Sequence, residues 1–489
     1  MNANVSKCSL RTPQTVCNTF EERAVDMDVV LPDYVPEISA VLKCSLRPYV
    51  TSRSQSGDRY VVDGVSEVRV LYVTEDRKTI HCYTACQPFH VSFTCDKAIH
   101  NMVRIKTDYV HCRALAPRRL DVHGAFRVFL NAIGESSVAV YSPPAQSDVF
   151  CRTKDICVML PICETEKCFV LEEYVDVGNV MDRFSFAEVT IVSTEVKSLV
   201  NKIIVKGTAR VKAVGTQGNT HHTWIHEIPF SQIVDVEGVC DRWRCNADVQ
   251  IGECDIHLQT AENGTLSLVL RAKLSACVRC YETVEETVVT DAYSVRAPLL
   301  CELTPLNYLP DKELVTASQT VSTQIDLPES VCDLVQLWAE LKSFEQIGKT
   351  FNMCVSLSMI AANTEGELAY YERTVDVSGA CTSEGALSLR LIGVEGAVSG
   401  HNLRIQLETA WCDECFETVS ESVVCNAVAE ERNPYVKSNA TIRIVYAEAG
   451  DSLWEIAKTH HACMQDVMEE NDLSDSVIHV PTMLMIPMM

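Results

Sequence analysis

The sequence predicts a mainly β protein, in which three tandem β-sandwich-like domains precede a small β-α-α-β domain at the C-terminus. Three observations predict this architecture. Apolar and polar residues alternate through most of the chain, similar segments recur at nearly equal spacing, and the last fifty residues change to helical spacing.

The alternation is clearest at 60–73 and 202–214, where apolar residues recur with a period close to two. That period is typical of a half-buried strand. Val, Ile and Thr are abundant, and turn signals such as TQGN at 216–219 and ENGT at 262–265 separate the runs. These segments therefore predict antiparallel sandwiches.

Internal repeats support three copies of one domain. Gly64, Gly207 and Gly348 end similar tripeptides at nearly equal spacing, and a second apolar anchor follows each of them near 90–93, 233–236 and 374–377. The segments CVRCYETV at 277–284 and CDECFETV at 412–419 are closer still. We expect equivalent places for the three glycines, and the following boundaries: an N-terminal segment 1–24, repeats at 25–148, 149–300 and 301–430, a linker 431–439, and the C-terminal domain 440–489.

Composition excludes several classes of function. The chain has 489 residues, 47% apolar content and a formal net charge of -24, without the basic stripes that a nucleic-acid binder needs. The N-terminus has no apolar core of a signal peptide, and no apolar run is long enough for a transmembrane helix. We expect a protein that is not secreted, whose 24 cysteines are mostly reduced and packed.

The C-terminal segment is predicted to form a strand, two helices and a second strand. Gly450 permits a tight turn after the first strand, Asp451 or Ser452 can cap a helix, and the helix then continues to Lys458. A second helix is predicted near 464–470 and a returning strand near 483–486.

This segment resembles the LysM family through GDSLWEIA at 450–457, N-x-L at 471–473 and L-x-I-P at 484–487. The resemblance implies a shallow groove, between the first strand-helix loop and the loop before the last strand, that binds N-acetylglucosamine glycans in many members. The residues predicted to form this glycan or partner surface are Gly450, Asp451, Ser452, Leu453, Trp454, Asn471, Leu473, Ile478, His479 and Thr482.

The upstream repeats resemble the SPOCS domain, also called DUF3794, through LPDYVPEISAVL at 31–42 and LPESVCD at 327–333. SPOCS repeats followed by LysM are the arrangement of the SipL-type spore morphogenetic proteins of clostridia. The resemblance implies a non-catalytic protein in the mother-cell cytoplasm at the forespore surface, and later in the spore coat. Its LysM domain would dock onto the morphogenetic ATPase of the coat basement layer, and the protein would recruit other coat proteins.

The cysteines, histidines and Trp454 that could carry chemistry are better explained by packing. Two Cys-x-x-Cys pairs, 277/280 and 412/415, lie in strand-like runs, where positions i and i+3 face opposite sides; packed thiols are therefore favoured over a metal or redox site. The cluster at 460–463 lacks an obvious fourth ligand, and Trp454 fits a core or partner contact better than a sugar platform. No catalytic motif occurs, so we expect no enzyme, metal or cofactor.

The sequence and these resemblances leave two functions open. The first is an intracellular scaffold for spore-coat assembly. The second is a peptidoglycan-binding protein of the cell wall or spore cortex. Absence of an export signal favours the scaffold. Eight acidic side chains against Arg443 and Lys458 in 440–489 also favour a protein partner over glycan.

Overall fold

A computed structural model describes residues 7–142, 148–177, 181–218, 220–260, 266–311, 316–328, 331–381, 387–413, 418–430, 434–435 and 441–488. Within these ranges the chain is mainly β, as predicted, with two short helices near the C-terminus. No helix in these ranges combines the length and hydropathy of a membrane span.

In the described ranges before residue 430, twenty strands form three successive units. The first unit contains β1 (Lys7–Val30), β2 (Ala40–Ser56), β3 (Arg59–Val73), β4 (Ile80–Thr94), β5 (His100–Ala116) and β6 (Arg119–Tyr141). The second contains β7 (Val149–Asp176), β8 (Arg183–Leu199), β9 (Lys202–Gln217), β10 (Thr220–Asp235), β11 (Trp243–Thr260) and β12 (Leu266–Ser294). The third contains β13 (Leu299–Tyr308), β14 (Thr316–Asp326), β15 (Val331–Ile347), β16 (Thr350–Asn363), β17 (Leu368–Ala380), β18 (Leu387–Ser399), β19 (Asn402–Asp413) and β20 (Val419–Ala429).

The three units share one topology. Each has an antiparallel sheet of three consecutive strands, β2-β3-β4, β8-β9-β10 or β15-β16-β17. Each also has a second three-stranded sheet: in the first two units the first and fifth strands flank the last, as β1-β6-β5 and β7-β12-β11, and in the third unit β14 and β18 flank β19 in the same way. The alternating side chains of both sheets meet in one apolar core per unit. Each unit is therefore a sandwich of two three-stranded sheets.

A shared apolar cluster joins the three units. It combines Leu71 and Ile80 of the first unit, Phe186 of the second, and Ile360 and Leu368 of the third, among others. Because all three units contribute buried side chains, separating them would expose apolar surface.

Polar contacts cross the same junction. The Lys43 ammonium donates to Ser358 at 2.7 Å and lies 4.8 Å from the Trp338 ring centre, while the Trp338 indole donates to Glu188 at 2.9 Å. Burial lowers the pKa of Lys43, an effect that the nearby Glu188 carboxylate partly offsets. These contacts link Lys43 of the first unit and Glu188 of the second unit to the third unit.

The long outer strands extend beyond the sandwiches as two-stranded ribbons. The ends of β1 and β6, of β7 and β12, and the pair β13–β20 pack into a second common cluster that includes Leu10, Val158, Leu160, Leu306 and Val423. In the third unit the ribbon strands are separate from the sandwich strands, whereas β1, β6, β7 and β12 are continuous.

The C-terminal module consists of β21 (Ile442–Ala447), α1 (Leu453–His460), α2 (Met464–Glu470) and β22 (Thr482–Pro487). The strands β21 and β22 pair antiparallel from Ile442↔Pro487 to Ala447↔Thr482. A small core including Ala447, Leu453, Val467, Leu484 and Ile486 fills the space between helices and strands.

One repeat anchor predicted from sequence is wrong. Gly64 and Gly207 lie within the central strands β3 and β9, where they pair with Phe89 and Phe230 and where a Cβ would collide with those aromatic rings. Gly348 instead occupies the β15–β16 hairpin turn with φ +59°, a conformation that glycine tolerates. Gly348 is therefore not structurally equivalent to Gly64 and Gly207, because it lies in a turn and they lie within strands.

Two predicted boundaries divide strands. Because β1 pairs with β6 from Lys7 to Val30, the segment 7–24 is part of the first unit rather than a separate N-terminal segment. The boundary between 300 and 301 falls inside β13. Most of the predicted linker 431–439, and the turn 262–265, lie outside the described residues; the other boundaries stay predictions.

Candidate partner-binding surface of the C-terminal module

Two loops meet at the predicted surface. Gly450 adopts φ +98° and donates its N–H to the Ile478 carbonyl at 2.7 Å, and Ile478 donates to the Asp451 carbonyl at 2.9 Å. Leu453 donates to Ser476 at 2.9 Å, and Ser452 forms a bridge with Val477. The loops are therefore joined by backbone hydrogen bonds, and positive φ at Gly450 makes this turn unfavourable for other residues.

Several predicted surface residues support the module from inside. Leu453 is fully buried, Ile478 is buried, and Leu473 packs against the same core. Asn471 connects α2 to β22, because its amide donates to Val467 and Met485 and its oxygen accepts the Met485 N–H at 2.7 Å. These four side chains hold the loops in place rather than present themselves to a partner.

Trp454 faces the body of the protein. Its indole N–H donates to Asp291 of β12 at 2.7 Å, and its ring meets Tyr293 edge-on at 4.9 Å. The Tyr293 hydroxyl donates to the Ala462 carbonyl at 2.8 Å. The side chains of this contact, which Ala457 and Phe150 complete, are mostly buried, so Trp454 docks the module onto the β7–β12 ribbon.

Asp291 is the electrostatic centre of this docking contact. Its carboxylate accepts two hydrogen bonds from the Lys458 ammonium at 2.8 Å as well as the Trp454 bond, and Arg152 lies 3.8 Å away. Burial alone raises the pKa of Asp291, but hydrogen bonds from Lys458 and Trp454 outweigh burial and leave the pKa below its usual value. The contact is therefore a paired, partly desolvated charge.

The remaining predicted residues lie at the surface. Gly450, Asp451 and His479 are exposed, and Ser452 and Thr482 are half-buried. His479 pairs with Asp475 at 2.7 Å, and this hydrogen bond lowers the pKa of Asp475. Of the predicted set, these five are accessible to a partner.

Sequence reasoning missed the outer face of the β21–β22 sheet. Ile444 stands opposite Met485 and Tyr446 opposite Met483, and their exposed fractions are 63%, 40%, 63% and 66%. Val480, at 70% exposure, lies in the adjoining loop. We call these five residues the outer face. The sequence contains a pattern that could have predicted this face, because large apolar residues in β21 alternate with positions that face the module core.

The histidine and cysteine cluster at 460–463 has no metal-site geometry. His461 ends α1 with φ +53° and stacks on Tyr435, while His460 lies 3.1 Å from the Arg443 guanidinium. Burial and the Arg443 charge lower the pKa of His460. Among the residues that the structure describes, no group of three or more His, Cys, Asp or Glu side chains is arranged to hold a metal ion.

The two cysteines of the Cys-x-x-Cys pair at 277/280 lie in different environments on β12. Cys280 belongs to the core of the second unit, whereas Cys277 lies outside that core, opposite Asp248 and Glu166. Burial raises the pKa of Cys277 to about 12. For the second pair, Cys415 lies outside the described residues.

Comparison with known proteins gives one match. Residues 182–259 match the profile of the family described as "SipL, SPOCS domain", and this stretch covers the strands β8 to β11 of the second unit. Neither the curated proteins nor the solved structures contain a significant match. The matched stretch differs from the segments 31–42 and 327–333 that carried the resemblance in the sequence. The match supports a SipL-type, sporulation-related protein.

Proposed function

We propose that this chain is a non-catalytic scaffold of the spore envelope, which acts at the forespore surface in the mother cell and recruits coat proteins. The observation that carries the proposal is the match of residues 182–259 to the SipL SPOCS domain. The three units of one topology are suited to a scaffold, because they pack together through a shared apolar cluster and leave their outer faces available to partners.

We further propose that residues 440–489 are a LysM domain that docks onto the morphogenetic ATPase of the coat basement layer. Supporting this, the module has the strand, helix, helix, strand order and the Gly450 turn that the resemblance requires. Trp454 is engaged with the β7–β12 ribbon, so the partner meets a different surface.

The outer face is the surface of the module best suited to bind a protein partner. It places an aromatic and two methionine side chains side by side in solvent, and interfaces concentrate energy in such anchors. The exposed loop residues Asp451 and His479 continue from the Tyr446–Met483 end of the sheet and form a polar rim. We propose a protein partner with an apolar groove for this face.

A binding assay with purified components tests the proposal. Tyr446→Lys in the full chain removes the aromatic anchor and adds a charge, and we expect the affinity for the ATPase to fall about thirtyfold, corresponding to about 2 kcal/mol. Val30→Lys is the matched control, because Val30 is similarly exposed, at 65%, but lies on the first unit.

A sedimentation assay on purified peptidoglycan provides the second arm. Saturable retention of the wild-type chain on peptidoglycan, together with no binding to the ATPase, would replace the scaffold by the wall-binding alternative. Equal ATPase affinities for the wild type and Tyr446→Lys would move the interface away from the outer face.

A further inference from the structure

Three cysteines form a row across one sheet of the second unit. Cys280 on β12 pairs in register with Cys245 on β11 on one side and with Cys163 on β7 on the other. The Cys245 and Cys280 sulfur atoms are 3.4 Å apart. All three side chains pack at the core between the two sheets, and a register shift in β7 follows the Cys163–Cys280 pair.

The spacing suits a disulfide. Opposite residues of an antiparallel pair have Cα atoms about 4.5 to 5.5 Å apart, within the range of about 4.4 to 6.8 Å that disulfides require. The sulfurs of Cys245 and Cys280 therefore need only a side-chain adjustment to reach bonding distance. Since Cys280 is common to both pairs, one thiol always remains when a disulfide forms.

The flanking thiols are the accessible and reactive ones. Cys280 is buried, whereas Cys163 and Cys245 are half-buried. A hydrogen bond with Cys280, assisted by Ser198 of the facing sheet, lowers the pKa of Cys245 to about 7 despite burial. The hydrogen bond with Cys280 also lowers the pKa of Cys163, while hydrogen bonds to both neighbours raise the pKa of Cys280. Thiolate therefore forms at the flanks of the row.

The same three thiols do not suit a metal ion. A structural zinc site needs ligands that converge on one point at Zn–S distances of about 2.3 Å. Here the sulfurs follow the sheet from strand to strand, and no metal-binding arrangement of His, Cys, Asp or Glu occurs among the described residues.

We propose that Cys163, Cys245 and Cys280 form an oxidation site, which a hydroperoxide converts to a Cys245–Cys280 disulfide. The Cys245 thiolate attacks hydrogen peroxide, the O–O bond breaks, and the departing hydroxide takes a proton to become water, leaving a sulfenic acid. The Cys280 sulfur then attacks the Cys245 sulfur, the S–O bond breaks, and the Cys280 proton leaves with the oxygen as a second water. Two thiols are oxidised and one peroxide is reduced to two waters.

Cys163 gives the site a second state. As a thiolate beside Cys280, it can attack the Cys280 sulfur and release the Cys245 thiolate, which moves the disulfide to Cys163–Cys280 without a further change in oxidation state. Either disulfide ties β12 to a neighbouring strand of the second unit. This site stands independently of the proposed scaffold function.

Peroxide titration of the reduced full chain tests the site. After limited oxidation at pH 7, free thiols are alkylated and the digested chain is analysed by mass spectrometry. We expect a cross-linked pair of peptides containing Cys245 and Cys280 as the first product. Cys245 should react about tenfold faster than Cys254, a half-buried thiol on the same strand whose pKa burial raises.

Two variants make the assignment specific. In Cys245→Ser we expect a Cys163–Cys280 cross-link instead, whereas Cys254→Ser should keep the wild-type product. The proposal is overturned if Cys245 and Cys280 stay alkylatable while other cysteines oxidise, or if Cys245 proceeds to sulfinic acid without a cross-link. The wild-type pattern alone decides these outcomes if a variant does not fold.

Discussion

Replacing Asp291 by alanine should loosen the C-terminal module from the β7–β12 ribbon. The substitution leaves the Trp454 indole, in a side chain 7% exposed, and the Lys458 ammonium without their shared acceptor. An unsatisfied buried donor costs about 1–3 kcal/mol. The Lys458 side chain is 39% exposed, so its ion pair adds at most about 1 kcal/mol after solvent screening. We expect a total near 2 kcal/mol, or about thirtyfold in the docking equilibrium.

Hydrogen–deuterium exchange of the α1–α2 peptides measures this loss. Amides of the buried residues Ala457, Ala462 and Val467 should exchange about thirtyfold faster, because full opening of the module includes its undocking. Asp291→Asn, which keeps an acceptor, should have a smaller effect. Glu285→Gln, an exposed carboxylate on the same strand, is the control and should leave exchange unchanged. Wild-type exchange in Asp291→Ala, or equal acceleration in all three units, would refute the docking argument.

Two further predictions concern acid and packing. Because the pKa of Asp291 is depressed in the folded protein, its contribution to docking is present above the ordinary carboxyl pKa of about 4 and is lost as the pH falls through the folded value. The protection of the α1 amides, measured as the intrinsic exchange rate at each pH divided by the observed rate, should therefore fall on acidification, more in the wild type than in Asp291→Ala. Gly207→Ala should destabilise the second unit by about 1–3 kcal/mol in denaturant unfolding, since the new Cβ meets the Phe230 ring and the Ser193 carbonyl. Adding Phe230→Leu to Gly207→Ala should recover part of the lost stability. Additive losses in the double variant would contradict the steric cause.

The sequence predicted the β class and the number of units because these depend on local alternation and on recurring segments. It misplaced Gly348, because a turn glycine and a mid-strand glycine look alike in a tripeptide. It also left residues 7–24 of β1 outside the first unit, since the pairing of β1 with β6 joins segments about a hundred residues apart that share no local signal.

The candidate surface was predicted only in part. Gly450 and the loop positions follow from local turn chemistry, whereas the orientation of Trp454 depends on Asp291 and Tyr293, which are distant in sequence. Likewise the Cys163, Cys245 and Cys280 row follows from strand register rather than from the Cys-x-x-Cys motif. Contacts set by long-range pairing were therefore the ones that sequence patterns could not supply.

Localisation of the full chain in sporulating cells tests the scaffold proposal most directly. A fluorescent fusion of the wild-type protein should surround the forespore from the mother-cell side, and Tyr446→Lys should become diffuse in the mother cell while Val30→Lys keeps the wild-type pattern. A wild-type fusion that spreads evenly through the cell, or that follows the cell wall, would contradict the proposed function.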